Sequence, residues 1–311
     1  MTKWLKYLQI PLLLLACLFP HTVLAQIPDS LGTEESQTQE IRNQLDSLYI
    51  QEIQQANPSQ KPKVLHAEPL FIDLIRDLGA RKGEKEWNLG MELSDKKDIR
   101  AYHGLIEYEW APINRLGLEV ELPFSFYTTQ SPELKDSLPA SQLESFKMAA
   151  QYSFLVSEKM KTSLALGYIH QLTLADFNRF NTNEGITGHV FNPFLVAAKR
   201  WRQNFHTLIY TGPQLRWAFG QQMETTYDIN TSVHYMLDGT RNFLGLELNN
   251  HIYANDFQMV LRPQMRVALA DNLMIGIVTG IPLGPSQDGI SAFGRLIFEP
   301  GHRALSRKHC D

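Results

Sequence analysis

The sequence predicts an all-β fold: an antiparallel transmembrane β-barrel of about twelve strands behind a short helical N-terminal segment. Three observations predict it. Hydrophobic periodicity switches to two near Glu86 and holds to Phe298. Many of the alternating segments reach or pass the roughly 9–11 residues that a tilted strand needs to cross a bilayer, whereas strands of soluble proteins centre near five or six. Short connections also tend to alternate with longer ones.

The alternation is clearest over 115–127. Leu116, Leu118, Val120, Leu122, Phe124 and Phe126 alternate there with Arg115, Gly117, Glu119, Glu121, Pro123 and Ser125. Successive side chains of a strand point to opposite faces, so such a segment is apolar on one side only. Residues 257–269 repeat the pattern, with Arg262, Gln264 and Arg266 on the second face, and so do 227–235 and 243–248. Strand-like segments fall near 86–94, 101–110, 115–127, 143–156, 161–174, 189–201, 205–219, 224–236, 241–253, 257–269, 273–281 and 288–298.

Even-numbered segments are followed by short turns: 111–114, 157–160, 202–204, 238–240 and 271–272. Several odd-numbered ones are followed by longer loops, 128–142, 175–188 and 282–287, although three odd connections are short. Short periplasmic turns and longer outer loops belong to a transmembrane barrel, and an even strand count puts both chain ends in the periplasm. Trp87, Tyr102, Trp110, Tyr127, Tyr152, Trp201, Trp217 and Tyr253 fall near segment ends, where interfacial girdles form. A soluble β-sandwich is the structural alternative, and it would need shorter strands.

The chain begins with a basic, then apolar stretch: Lys3 and Lys6 ahead of Leu12–Phe19, closing on Val23-Leu24-Ala25. This reads as a signal peptide over 1–25. Pro20 and His21 interrupt the run before it reaches the about 20 residues of a membrane anchor. A lipoprotein signal ending at Cys17 is the competing reading. Cleavage would remove Lys3 and Lys6 and take the formal charge from −4 to −6, which speaks against nucleic acid as a partner. It would also leave Cys310 as the one thiol, so no internal disulfide forms.

Residues 26–85 read as a periplasmic tether with two short helices, followed by the barrel over 86–298 and a tail over 299–311. Ile41, Leu45, Leu48 and Ile53 suggest the first helix, as a tether or a small coiled-coil contact. Pro69 suits a helix start, Leu70, Phe71, Leu74, Ile75 and Leu78 form a stripe, and Gly79 is a stop signal.

With the apolar set on lipid, the other set faces the lumen: Glu107, Glu109, Glu119, Glu121, Arg216, Glu247, Arg262 and Arg266, with His103, Lys147, Asp228, His234 and His251. Four acids on neighbouring strands and two arginines on a later one either set a field across a pore or pair to fill a narrow lumen. The apolar face of 69–78 could dock at the periplasmic mouth or enter the lumen, bringing Arg81, Lys82 and Lys85 to Glu107, Glu109, Glu119 or Glu121. No metal spacing is strong: His66-Ala67-Glu68 and the tail's His302, His309 and Cys310 are weak sets. No nucleotide fingerprint occurs, and no cofactor is expected. Two serine–histidine pairings, Ser163 with His170 and Ser232 with His234, lack a nucleophile signature.

The stretch 66–90, HAEPLFIDLIRDLGARKGEKEWNLG, resembles a group of outer-membrane β-barrel proteins from Bacteroidota. More loosely, the barrel looks like outer-membrane transporters grouped with phenol-degradation pathway proteins. The resemblance implies an outer-membrane location and a barrel, without substrate or catalytic residues. Three functions stay open: a channel or transporter-like barrel for a small polar solute, a non-conducting anchor that recruits a periplasmic protein, and a lipid-modifying enzyme.

Overall fold

The computed structural model describes residues 61–300 apart from 73, 97–98, 130, 177–184, 203, 254–255 and 285–288. The signal peptide, the helix expected over 41–53 and the tail from 301 lie outside the described residues.

Thirteen strands form a single antiparallel sheet that closes on itself. They are β1 (Lys85–Lys96), β2 (Ile99–Ile113), β3 (Leu116–Thr129), β4 (Gln142–Leu143), β5 (Ser145–Ser157), β6 (Thr162–Leu174) and β7 (Ile186–Trp201), then β8 (Phe205–Ala218), β9 (Glu224–Met236), β10 (Phe243–Ile252), β11 (Phe257–Ala270), β12 (Leu273–Leu283) and β13 (Ser291–Phe298). The two-residue β4 and the longer β5 pair in turn with β3, so they are two pieces of one stave and the barrel has twelve. Trp87 of β1 pairs with Tyr108 of β2 and with Phe298 of β13, which seals the ring. Closure leaves no strand edge, as a sheet in lipid requires. Each of the twelve expected segments is a stave.

The two faces are inverted relative to a soluble sheet. On β2, Glu107 is 1% exposed while its neighbour Ile106 is 44% exposed. Leu166, Leu244 and Leu269 point outward and are more than half exposed. An apolar surface carried around every stave is a lipid-facing one, since soluble monomers rarely expose large contiguous apolar patches. Trp87, Trp201, Phe205 and Tyr235 ring the outer surface near the short-turn end, and Trp217, Phe219 and Tyr227 lie near the long-loop end. The described residues contain no helix long and apolar enough to cross a membrane.

The helix expected over 69–78 is absent. Apart from residue 73, residues 61–84 run as irregular chain with turns, and Arg76 adopts a left-handed φ of 61° that breaks a helix. The physical reason is where they lie. The segment enters the barrel at its short-turn end, fills that part of the lumen and leaves into β1. Wall surrounds it, so Val64, Ala67, Leu70, Leu74, Ile75, Leu78 and Ala80 are all buried, on every side of the chain. Leu74, Ile75 and Leu78 pack against Ala149, Ala165, Phe194, Val196, Leu208 and Tyr210. Leu70 and Ala67 pack against Phe243, Met274, Val278, Phe293 and Ile297 on the other side. The apolar core of the molecule is therefore the contact between this loop and the barrel's inner wall.

Close approach is built in at Gly117 of β3, where an added Cβ would lie 2.0 Å from the Ile75 carbonyl oxygen. Two outcomes follow. The folded protein in detergent migrates differently on a gel before and after boiling, as a closed barrel does, while identical migration would contradict closure. Gly117→Leu retains that shift but cannot seat the loop, so trypsin cuts at Lys63 or Arg81 at least about tenfold faster than in the native protein, the loss of about 1.4 kcal/mol of seating or more.

Candidate functional site

Irregular chain in a lumen poses a hydrogen-bonding problem. Its peptide groups form no ladder and no helix, and the wall's own peptide groups are committed to their neighbours. Buried N–H groups left without acceptors cost about 1–3 kcal/mol each. The wall answers with side chains. The Ala67 amide donates to Nδ1 of His206 at 2.8 Å, Leu70 to Oε1 of Gln264 at 2.7 Å and Ile72 to Oε1 of Glu247 at 3.0 Å. Arg76 donates to Oε2 of Glu109 at 2.7 Å and Gly79 to Oγ of Ser153 at 2.8 Å. In the other direction, Nε2 of Gln151 donates to the Arg76 carbonyl at 3.0 Å. These partners sit on β2, β5, β8, β10 and β11, so the loop is tied to staves around the whole ring.

Ion pairs hold the base of the loop. The Arg76 guanidinium is 3% exposed and fans between Glu86, Asp77 at 2.9 Å, Glu299 at 3.5 Å and Glu109 at 3.6 Å. Lys63 bonds Asp77 and lies 3.0 Å from Glu84, so the incoming and outgoing limbs are tied together. Burial by itself would lower the Lys63 ammonium, but Asp77 and Glu84 hold it up at about 12. Burial likewise opposes ionised Asp77, yet Arg76 and Lys63 hold its carboxyl well below the usual range. Just past β13, burial would raise Glu299, but Arg241 and Arg76 pull it down to about 2. Both limbs are therefore charged and paired near neutral pH.

The four acids expected on one wall are there together and buried: Glu107 and Glu109 on β2, Glu119 and Glu121 on β3. Glu107, Glu119 and Glu121 bring oxygens within 4.8 Å of one another. Lys147 of β5 bonds Glu121 and lies 3.5 Å from Glu119, and Arg295 of β13 lies 3.9 Å from Glu107. A loop cation that reaches these acids is Arg76, 3.6 Å from Glu109, which the sequence did not single out. Of the three basic residues expected there, Arg81 is buried, while Lys82 and Lys85 are exposed, the Lys82 amide donating to Asn114. Glu247 accepts from Ile72, Asn249 and Gln264. Arg262 stacks over Phe71 with its guanidinium carbon 3.2 Å from the ring centroid and lies 3.6 Å from Glu92. Arg266 donates to the Arg241 carbonyl and covers Phe243. At this level the acids and arginines are thus paired with neighbouring staves and with the loop in a filled space, and they do not line a pore.

Arg216 stands apart. It lines a cavity of about 400 Å³ toward the long-loop end, with Gln142, Glu144, Gln171, Thr173 and Thr187. Of the other residues weighed, His103 bonds Ser125, and Asp228 pairs with His251. His170 points outward and meets His189 at 3.0 Å, away from Ser163. The fully buried Ser163 hydroxyl instead meets Nε2 of His66 at 2.9 Å. His234 and Ser232 are both buried, and no bond joins them.

The fold has solved counterparts. The COG4313 outer membrane channel from Pseudomonas putida F1 superposes with a TM-score of 0.59 at 13% identity, over 73% of this chain and 99% of that one. The KdgM porin gives 0.47 at 12% identity, over 68% and 98%, and the NanC porin 0.48 at 8%, over 68% and 97%. No curated protein sequence matches the chain. A family model described as HAEPLYID-like matches residues 62–299, and its label spells residues 66–73 with Phe71 in place of Tyr. That match takes in both the lumenal loop and the barrel, and the chain belongs to the HAEPLYID-like family.

Proposed function

We propose that the protein is an outer-membrane channel for a small polar solute, closed by residues 61–84. The observation that carries the reading is the way the loop is held. It enters and leaves at one end and hangs on side chains, so it can be withdrawn without threading the chain or breaking a strand ladder. With short turns in the periplasm, that end and both termini are periplasmic. The upper cavity, with amides, hydroxyls, Glu144 and Arg216, suits a solute that is polar rather than apolar. The fold shared with an outer-membrane channel supports the same reading. The protein is read as non-enzymatic: of its described serine–histidine contacts, Ser163 with His66 is buried under the loop and anchors it, and in Ser125 with His103 the hydroxyl donates to Glu144 rather than to the imidazole.

The filled lumen also favours a second reading, a non-conducting anchor whose N-terminal segment recruits a periplasmic protein. Planar bilayers separate the two. The intact protein should be mostly closed, and a variant lacking residues 62–84 should conduct steadily. No current from either form would overturn the channel, and a partner lost on the same deletion would favour the anchor. Arg76→Leu leaves several buried acids without their shared cation, a change that costs about 3–5 kcal/mol in buried pairs. It should turn the intact closed protein into a leaky one, with open probability raised at least about a hundredfold. An Arg76→Leu protein as silent as the native one would show that the ion pairs do not hold the gate.

A further inference from the structure

Two histidines hold the middle of the loop. His206 Nδ1 accepts the Ala67 amide, so that nitrogen carries no proton when the loop is seated. His66, on the loop, meets the Ser163 hydroxyl and lies edge to face with His206 at 6.4 Å. Both are buried, at 6% and 1% exposure. The charges around them are mainly positive. Arg200 of β7 is the ladder partner of His206, and His234 of β9 is its partner on the other side. His234 in turn feels Arg266 of β11. Among the described residues, the acid acting on His66 is Asp77 of the loop. Burial, then His206 and Arg200, hold the His66 imidazole neutral and push its pKa down to about 3.

We propose that His66 and His206 form an acid-sensitive latch that holds the loop in the lumen when both are neutral and releases it when they are protonated. Protonated His206 would present Nδ1–H to the Ala67 N–H, two donors facing each other. A second cation would stand beside Arg200, away from water. The released loop binds these protons readily, because a solvated histidine titrates near about 6.5. The seated state binds fewer protons, so seating is complete above that pH and is lost as pH falls toward about 3. Each proton taken up on release shifts the open-to-closed ratio about tenfold per pH unit, so two shift it about a hundredfold. Asp77 and Glu299, held low in the seated state by Arg76, Lys63 and Arg241, regain ordinary carboxyl behaviour as the loop leaves, so they act in the same sense as the histidines but only below about pH 5. Glu68, raised by burial and by Asp77, acts in the opposite sense and can only shallow the slope.

The latch rests on the contacts above, and only its electrical consequence rests on the channel reading. The full chain in planar bilayers should be closed at pH 7.5 and open at pH 5.0. The double variant His66→Gln, His206→Asn keeps the hydrogen-bonding atoms near Nε2 and Nδ1 without a titrating ring, and it should stay closed at both. Equal closure of the native protein at both pH values with an immobile loop, or acid opening of the double variant like that of the native protein, would overturn the latch. Loop motion is read separately, from a nitroxide at Ile72→Cys in a chain whose own cysteines are serine. Its spectrum should sharpen between pH 7.5 and 5.0. Mobility without current would leave the latch standing and remove the channel, whereas an immobile label at pH 5.0 would remove the latch. Should the double variant lack the heat-dependent gel shift, His206→Asn alone serves, and it must reduce the pH slope by about one proton.

Discussion

Everything else in the structure depends on one constraint: irregular backbone inside a closed barrel must find its hydrogen-bond partners among the wall's side chains. The ladder amides of twelve staves are already paired. Hence the polar inner face at the short-turn end is specific to the loop, with His206, Gln264, Glu247, Glu109 and Ser153 each placed against one of its amides. A neutral bond of this kind contributes about 0.5–1.5 kcal/mol net and one to a carboxylate about 1.5–3 kcal/mol. No single contact dominates, but leaving any one of them unmade strands a buried donor. Seating is thus specified in register, residue by residue, more than it is driven by any one bond.

Charge reinforces that specification. Buried ion pairs add little net stability over a well-packed apolar core, because desolvation offsets their attraction. Their strength lies in the penalty for mispairing. Arg76 carries a left-handed backbone and a guanidinium shared among Glu86, Asp77, Glu109 and Glu299, so a shift of the loop by one residue would bury a cation away from its acids. The apolar side chains supply the driving force, with Leu70, Leu74, Ile75 and Leu78 taking the inward places that a dry barrel would fill from its own strands.

The staves were legible because the alternation that defines them serves two solvents at once. Leu116 to Phe126 had to suit lipid, and Glu119, Glu121 and Ser125 had to suit the inside, so the period survived along the chain. The inward position of Glu107, Glu109, Glu119 and Glu121 followed from the same count. The loop was not legible in this way. Leu70, Leu74, Ile75 and Leu78 recur at helical spacing, but a segment enclosed on every side needs no single apolar stripe, and wall acceptors remove the need for a helix's own bonds. Arg76 lay among those apolar positions and drew no notice, whereas the visible basic run at Arg81, Lys82 and Lys85 sits at the rim. His206 and Gln264 were inward by alternation, yet nothing in the strand pattern reveals that they wait for an amide from a distant segment. The one pointer was the stretch beginning at His66, marked by resemblance and not by periodicity.

The central claim is that residues 61–84 occupy the lumen of a closed barrel, and a disulfide trap tests it most directly. Leu70 lies against Gly276 of β12, where an added Cβ would meet its side chain. With Leu70→Cys and Gly276→Cys introduced and the native cysteines replaced by serine, mild oxidation of outer-membrane vesicles should cross-link the loop to the wall, giving a faster band that reverts on reduction. A protein that shows the barrel's heat-dependent shift yet forms no such cross-link, while a control pair across the β1–β13 seam does, would contradict the account.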